Sequence, residues 1–230
     1  MPMTLTLRVL AHLLSYPDAG LREHLPEFRT ALAEEKALSA GRTAELDALL
    51  NRLSGSRALL AEEVYVETFD RGRGTALHLF EHVHGDSRDR GQAMVDLLKT
   101  YEQAGLCMSP GELPDHLTVL LEYASTQPPA QAQAFLREIT HILQLIFNAL
   151  LKRQSTYASV LAAILDLAGE MAQVVKLPDE LALDDSWEEP PAFSGCSIRG
   201  QSSPGQPQPI VVMKPRSSST TEQRPQGASS

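Results

Sequence analysis

Apolar residues return along this chain every three or four positions, and that rhythm restricts it to helices packed face to face. Leu7, Leu10 and Leu14 share one helical face, and Pro17-Asp18 then breaks the pattern with a turn signal. A second helix is expected after Pro26, with Leu25, Phe28 and Leu32 as its stripe. Leu46, Leu49, Leu50 and Leu53 repeat at i, i+3, i+4 and i+7 before Ser54-Gly55-Ser56 ends the run. A helix is expected over residues 57–69, stopped by the two glycines of Asp70-Arg71-Gly72-Arg73-Gly74, and a short one over 75–83. Asp86 is placed to N-cap the next helix, with Asp89 at its third position and Met94, Leu97, Leu98 and Tyr101 as its buried stripe, and Gly105 closes it. Asp115, after Pro114, is placed to cap a helix carrying Leu117, Leu120, Leu121 and Ala124 that halts at Pro128-Pro129. Phe135, Ile139, Ile142, Leu143, Ile146 and Leu150 form one very apolar stripe. Val160, Ile164, Leu167, Met171 and Val174 form another, and these two helices are expected at the centre of the bundle.

Beyond Pro178 the rhythm fades. From Ser194 onward Ser, Gly, Pro and Gln dominate, which leaves little apolar area to offset the entropy of ordering. The β-prone run Pro209-Ile210-Val211-Val212-Met213 is the exception, suited to docking on the body or on a partner. The fold class expected is therefore all-α: a single helical bundle domain over 1–178 and a low-complexity, largely disordered tail over 179–230.

Charge separates the same two parts. The chain nets −9, yet residues 194–230 hold Arg199, Lys214, Arg216 and Arg224 against Glu222, a local +3, so the body carries −12. Such a charge argues against a nucleic-acid binder, which needs a basic face, and suits a basic partner. Only Cys107 and Cys196 are present, far apart and without a CxxC, so neither a zinc knuckle nor a disulfide framework is indicated and a reducing compartment fits. The apolar run over residues 5–14 is interrupted by Arg8 and His12, has no clear cleavage signature, and is too short to span a bilayer. A cytoplasmic chain without direct membrane insertion is expected.

Two compact polar motifs interrupt the stripes. The first runs from His78 to Gly91 and contains His78, Glu81, His82, His84, Asp86, Arg88, Asp89 and Arg90. His78, Glu81 and His82 spell H-x-x-E-H, a pattern of some zinc peptidases, but no third ligand is identifiable downstream. A plainer reading is a helix end, a tight turn at Gly85 and a capped restart, with Arg88 and Arg90 paired to Asp70, Asp86 or Asp89. The second motif, Glu112-Leu113-Pro114-Asp115-His116, reads as a helix start, except that a protonated His116 there meets the wrong end of the helix dipole. Gly72-Arg73-Gly74 lacks the preceding strand and the GK[ST] element of a phosphate loop.

Tyr65-Val66-Glu67-Thr68-Phe69-Asp70-Arg71-Gly72-Arg73, the run from Leu79 to Met94, and Glu112-Leu113-Pro114-Asp115-His116-Leu117 closely resemble the nitrate reductase delta-subunit chaperones of the NarJ type. The resemblance covers most of the chain from about Leu7 to Phe193, and Trp187-Glu188-Glu189 with Phe193 and Cys196 resembles the family's C-terminal region. The E-x-P-D-H element resembles chaperones of related molybdoenzymes as well. His78 departs from the pattern, where an apolar residue can stand, so the apparent zinc motif looks incidental.

The resemblance implies a helical bundle of the molybdoenzyme-specific chaperone type, without cofactor or catalytic residues. Its implied partner is the catalytic (alpha) subunit of respiratory nitrate reductase, bound through an N-terminal leader-like peptide, with cofactor-biosynthesis proteins as further partners. The implied role is to keep that subunit competent for molybdenum-cofactor insertion before membrane docking. An acidic body would take the basic end of such a peptide at the rim of an apolar groove. That groove is expected to involve Tyr65, Phe69, His82, His84, Asp86, Asp115, His116 and Tyr123, supported by Asp70, Glu81, Arg88, Asp89, Arg90, Glu112 and Pro114. The competing expectations are a zinc hydrolase built on His78, Glu81 and His82, and a permanent structural subunit of the reductase.

Overall fold

The structure, a computed structural model, describes residues 2–83, 89–109 and 111–175. Among them every regular element is helical: α1 (Thr4–Leu13), α2 (Ala19–Glu23), α3 (Leu25–Glu35), α4 (Ala40–Gly55), α5 (Ala58–Phe69), α6 (Leu79–Val83), α7 (Asp89–Gln103), α8 (Leu117–Thr126), α9 (Pro129–Glu138), α10 (Thr140–Lys152) and α11 (Ala158–Ala168). A 3-10 turn at Arg73–Thr75 lies between α5 and α6. All described residues fall in the unit Met1–Pro178; the unit Asp179–Ser230, and with it the expected tail, lies outside them.

The most apolar helix lies at the centre. Nine residues of α11, from Ala158 to Ala168, are buried, and a helix apolar all round must be enclosed on all sides. α10, α9, α4 and α1 pack around it. Gly169 stops it at φ +83°, a conformation glycine adopts without steric cost. Around this axis the expected stripes are buried as read: Leu7, Leu10 and Leu14, which lie on α1 and its C-cap, Leu46, Leu49, Leu50 and Leu53 on α4, and Leu117, Leu120, Leu121 and Ala124 on α8. α1 makes its most extensive contact with α8 and also meets α3 and α11.

Several boundaries differ from the sequence reading, each for a local reason. The stripe over 135–150 is carried by two helices, α9 and α10, bent by 67° at Ile139. The break is bridged by Thr140, whose hydroxyl donates to the Arg137 carbonyl at 2.8 Å. Met171 and Val174 do not extend α11 and stand 77% and 81% exposed. After Gly169 the chain is tied to α10 instead: Asn148 donates to the Gln173 carbonyl at 3.0 Å and accepts from the Val175 N–H at 2.7 Å. Asp18, read only as a turn signal, caps the unexpected short helix α2 by accepting from the Leu21 N–H at 2.8 Å. Residues 75–83 form the end of the 3-10 turn and the five-residue α6 rather than one helix. On α7 only Tyr101 is fully buried, while Met94, Leu97 and Leu98 are half-buried.

Among the described residues no single helix is long and apolar enough to cross a membrane. The bent pair α9 and α10 reaches that composition jointly, and α10 buries Ile142, Leu143, Ile146, Phe147 and Leu150 within the protein.

Candidate partner-binding groove

The two polar motifs, more than thirty residues apart, are zipped together by backbone. The Leu79 N–H donates to the Asp115 carbonyl at 3.0 Å and the Leu117 N–H to the Leu77 carbonyl at 2.9 Å, an antiparallel bridge centred on His78 and His116. This bridge sets the start of α6 against the start of α8. Tyr101 on α7 adds a third tie, its buried phenol donating to the Pro114 carbonyl at 2.8 Å.

Asp115 sits at the junction, fully buried. It does not cap its own helix α8, whose N-cap is His116 without a side-chain cap. Its carboxylate reaches across instead, accepting from the Phe80 N–H in the first turn of α6 at 3.2 Å. The same group lies 3.2 Å from His78 Nδ1 and 3.7 Å from Arg90 Nη2. Burial alone would push its pKa up, but His78, the Phe80 N–H and Arg90 together hold it below the ordinary carboxylate value. A buried carboxylate needs such compensation, since an unpaired one costs several kcal/mol, on the order of 3–5. Arg90 also lies 3.5 Å from Glu81, so its carboxylate neighbours include Glu81 as well as Asp115; Asp86, one of its expected partners, lies outside the described residues.

The paired histidines carry opposite tendencies. His78 is raised by its hydrogen bond to Asp115, against the effect of burial. His116 is pushed down to about 4 by burial and by the neighbouring His78 charge. The rings meet edge to face at 4.8 Å, and His116 Nδ1 lies 2.6 Å from the Thr118 hydroxyl. A neutral imidazole at the head of α8 removes the conflict with the helix dipole that the sequence presented.

Above this junction opens a groove of about 290 Å³. Tyr65, Phe69 and His116 line it, together with Asp70 and Glu81, as do Leu77, Arg73 and His78, which the sequence reading had not assigned to it. Its floor is aromatic: the Tyr65 and Phe69 rings are 4.9 Å apart, and Tyr157 backs both. Tyr65 is fixed by donating its phenol to the Leu14 carbonyl at 2.8 Å, at the end of α1. Thr75, buried behind the 3-10 turn, donates to the Thr68 carbonyl and ties that turn to α5.

The other expected residues fall elsewhere. Tyr123 lies seven residues along α8 from His116, about 10 Å by helical rise. It lines a second cleft of about 370 Å³ with Glu112, Arg8, His12 and Met108. His82 turns back, its Nε2 2.9 Å from the Ala76 carbonyl, and does not line the groove. Asp89 opens the described part of α7 and is exposed, and Pro114 is buried. His84, Asp86 and Arg88 lie outside the described residues. The H-x-x-E-H pattern does not converge, because His78 precedes α6 and faces Asp115 while His82 faces Ala76; among the described residues no three potential ligands gather. In the sequence His78 stands out only through the H-x-x-E-H pattern, and no local signal marks Leu77.

The described residues thus form an all-helical body in which the two polar motifs meet at a buried carboxylate, Asp115, beneath a groove floored by Tyr65 and Phe69. The chain belongs to the nitrate reductase delta subunit family, whose model matches residues 16–163. It is 43% identical over 191 residues to the nitrate reductase molybdenum cofactor assembly chaperone NarJ of Escherichia coli, covering 79% of this chain and 81% of that one. It is 38% identical to the probable assembly chaperone NarW of the same species, covering 80% of each chain. A probable NarJ of Bacillus subtilis is 31% identical, over 70% of this chain and 86% of the relative.

Proposed function

We propose that this chain is a non-catalytic assembly chaperone of the cytoplasm that holds the N-terminal segment of the nitrate reductase catalytic subunit while molybdenum cofactor is inserted. The observation that carries the reading is the groove over α5, α6 and α8, formed by the sequence motifs that resemble the family. The names of the relatives support the chaperone role. The groove chemistry supports an amphipathic occupant with a basic end: Tyr65, Phe69 and Leu77 offer an apolar bed, and among the charged lining residues the carboxylates Asp70 and Glu81 outnumber Arg73. Asp115 is a positioning residue in this scheme, since it is buried and acts through His78, Arg90 and α6.

Calorimetric titration with a peptide from the N-terminus of the catalytic subunit tests it. Asp70→Asn combined with Glu81→Gln should lower affinity at least tenfold, and His82→Ala should leave it unchanged. Undiminished binding by the double variant would remove the groove from the interaction.

A further inference from the structure

A third recess lies where α4 and α5 meet the turn between α10 and α11, and its charge is opposite to that of the body. Arg52, Arg71 and Arg153 line a space of about 410 Å³ with Glu67, Ser155 and Thr156. Glu67 is engaged by Arg71 at 2.9 Å. Among the described residues Arg52 and Arg153 have no carboxylate partner. The recess thus nets +2 on a body of −12, and guanidinium forks with hydroxyls are the donor set that matches a tetrahedral oxyanion.

Arg153 lies on the backbone at the end of α5. Its Nη1 donates to the carbonyls of Glu67 and Thr68, both at 3.3 Å, and the guanidinium lies so close over Gly72 that an added Cβ would come within 2.1 Å of it. The turn that presents it contains Gln154 at φ +53°, a left-handed conformation that non-glycine residues seldom adopt.

Beside the arginines is a narrow apolar slot of about 70 Å³, which shares Arg52, Val64 and Thr156 with the recess and is walled by Leu49, Leu53 and Ala61. Tyr157 also lines the slot. It is 2% exposed, yet its phenol oxygen has no hydrogen-bond partner. The other two buried tyrosines, Tyr65 and Tyr101, are both satisfied, so the orphaned hydroxyl is an exception among its kind. Arg52 lies near enough for its charge to act on that phenol.

We propose that this paired recess binds a small organic phosphate monoester. The phosphate, carrying roughly −1.5 to −2 near neutrality, sits on Arg52, Arg71 and Arg153. Its ester group enters the slot, where an ester or hydroxyl oxygen satisfies Tyr157. A carboxylate, with one charge, would leave the recess under-neutralised.

Titration calorimetry on the full chain at fixed ionic strength tests the proposal with propyl phosphate and inorganic phosphate as probes. Propyl phosphate should bind one to one, and several-fold more tightly than inorganic phosphate. Arg52→Gln with Arg71→Gln should weaken both at least tenfold, and neither substitution removes a buried contact. Tyr157→Phe, which deletes only an unpartnered hydroxyl and so retains the fold, should weaken the ester about threefold and leave inorganic phosphate unchanged. Arg57→Gln, outside the recess, should change neither. Absence of heat with both probes, equal affinity for wild type and the double arginine variant, or inorganic phosphate binding as tightly as the ester would each overturn it.

Discussion

Replacing His116 by Asn should make the fold less sensitive to acid. In the folded chain His116 is half-buried beside His78, and its pKa falls from 6.5 to about 4. The unfolded chain therefore takes up the proton first, so folding stability is undiminished above pH 6.5 and falls as the pH drops toward 4. A shift of this size corresponds to about 3 kcal/mol over the whole window, of which about 2 kcal/mol appears between pH 7 and pH 5. His78 has the opposite sign: its raised pKa contributes stability below 6.5 that is lost as the pH rises through its folded value. That contribution is common to both proteins, so the difference between them isolates His116. Asn does not titrate and is a favoured N-cap residue, which suits the head of α8. Urea unfolding at pH 7 and pH 5 measures the effect, with wild type losing about 2 kcal/mol more than the variant. Equal losses in the two proteins, or an imidazole of His116 that titrates near 6.5 by NMR, would refute the assignment of a neutral buried ring.

Asp115→Asn should lower the pKa of His78, because the carboxylate hydrogen bond is the main cause of its elevation, and should destabilise the fold by at least about 2 kcal/mol at pH 7. Histidine NMR titration and urea unfolding read the two effects. Gly72→Ala should displace the Arg153 guanidinium from the α5 carbonyls at a cost of only about 0.5–1.5 kcal/mol, since the flexible side chain can move aside, and most of that cost should vanish in an Arg153→Gln background.

The helical architecture was legible because burial on one side of a helix writes itself into spacing, as at Leu46, Leu49, Leu50 and Leu53. Spacing does not record direction, so the stripe through Ile139 gave no sign of a 67° bend: both halves keep an apolar face inward on either side of it. Nor does it mark an end clearly where apolar residues continue past Gly169. The groove was legible in part. Tyr65, Phe69 and His116 gather because motifs near residues 70 and 115 are bridged, and that pairing is long-range information no local pattern contains. The same bridge explains why Asp115, placed correctly before α8, serves α6 instead: its side chain found an N–H across the junction. Tyr123, expected in the groove, is carried by α8 two turns away from His116 to the other cleft.

The enclosure of α11 by α1, α4, α9 and α10 has a bearing on synthesis. α1 cannot complete its contacts until α11 has left the ribosome, so the N-terminal stretches must wait in an incomplete, apolar-exposing state. Contacts this distant along the chain slow a helical protein relative to bundles made of sequential hairpins. A nascent chain truncated before Ala158 should therefore be easily digested by protease, and resistance should arrive in one step as that segment emerges.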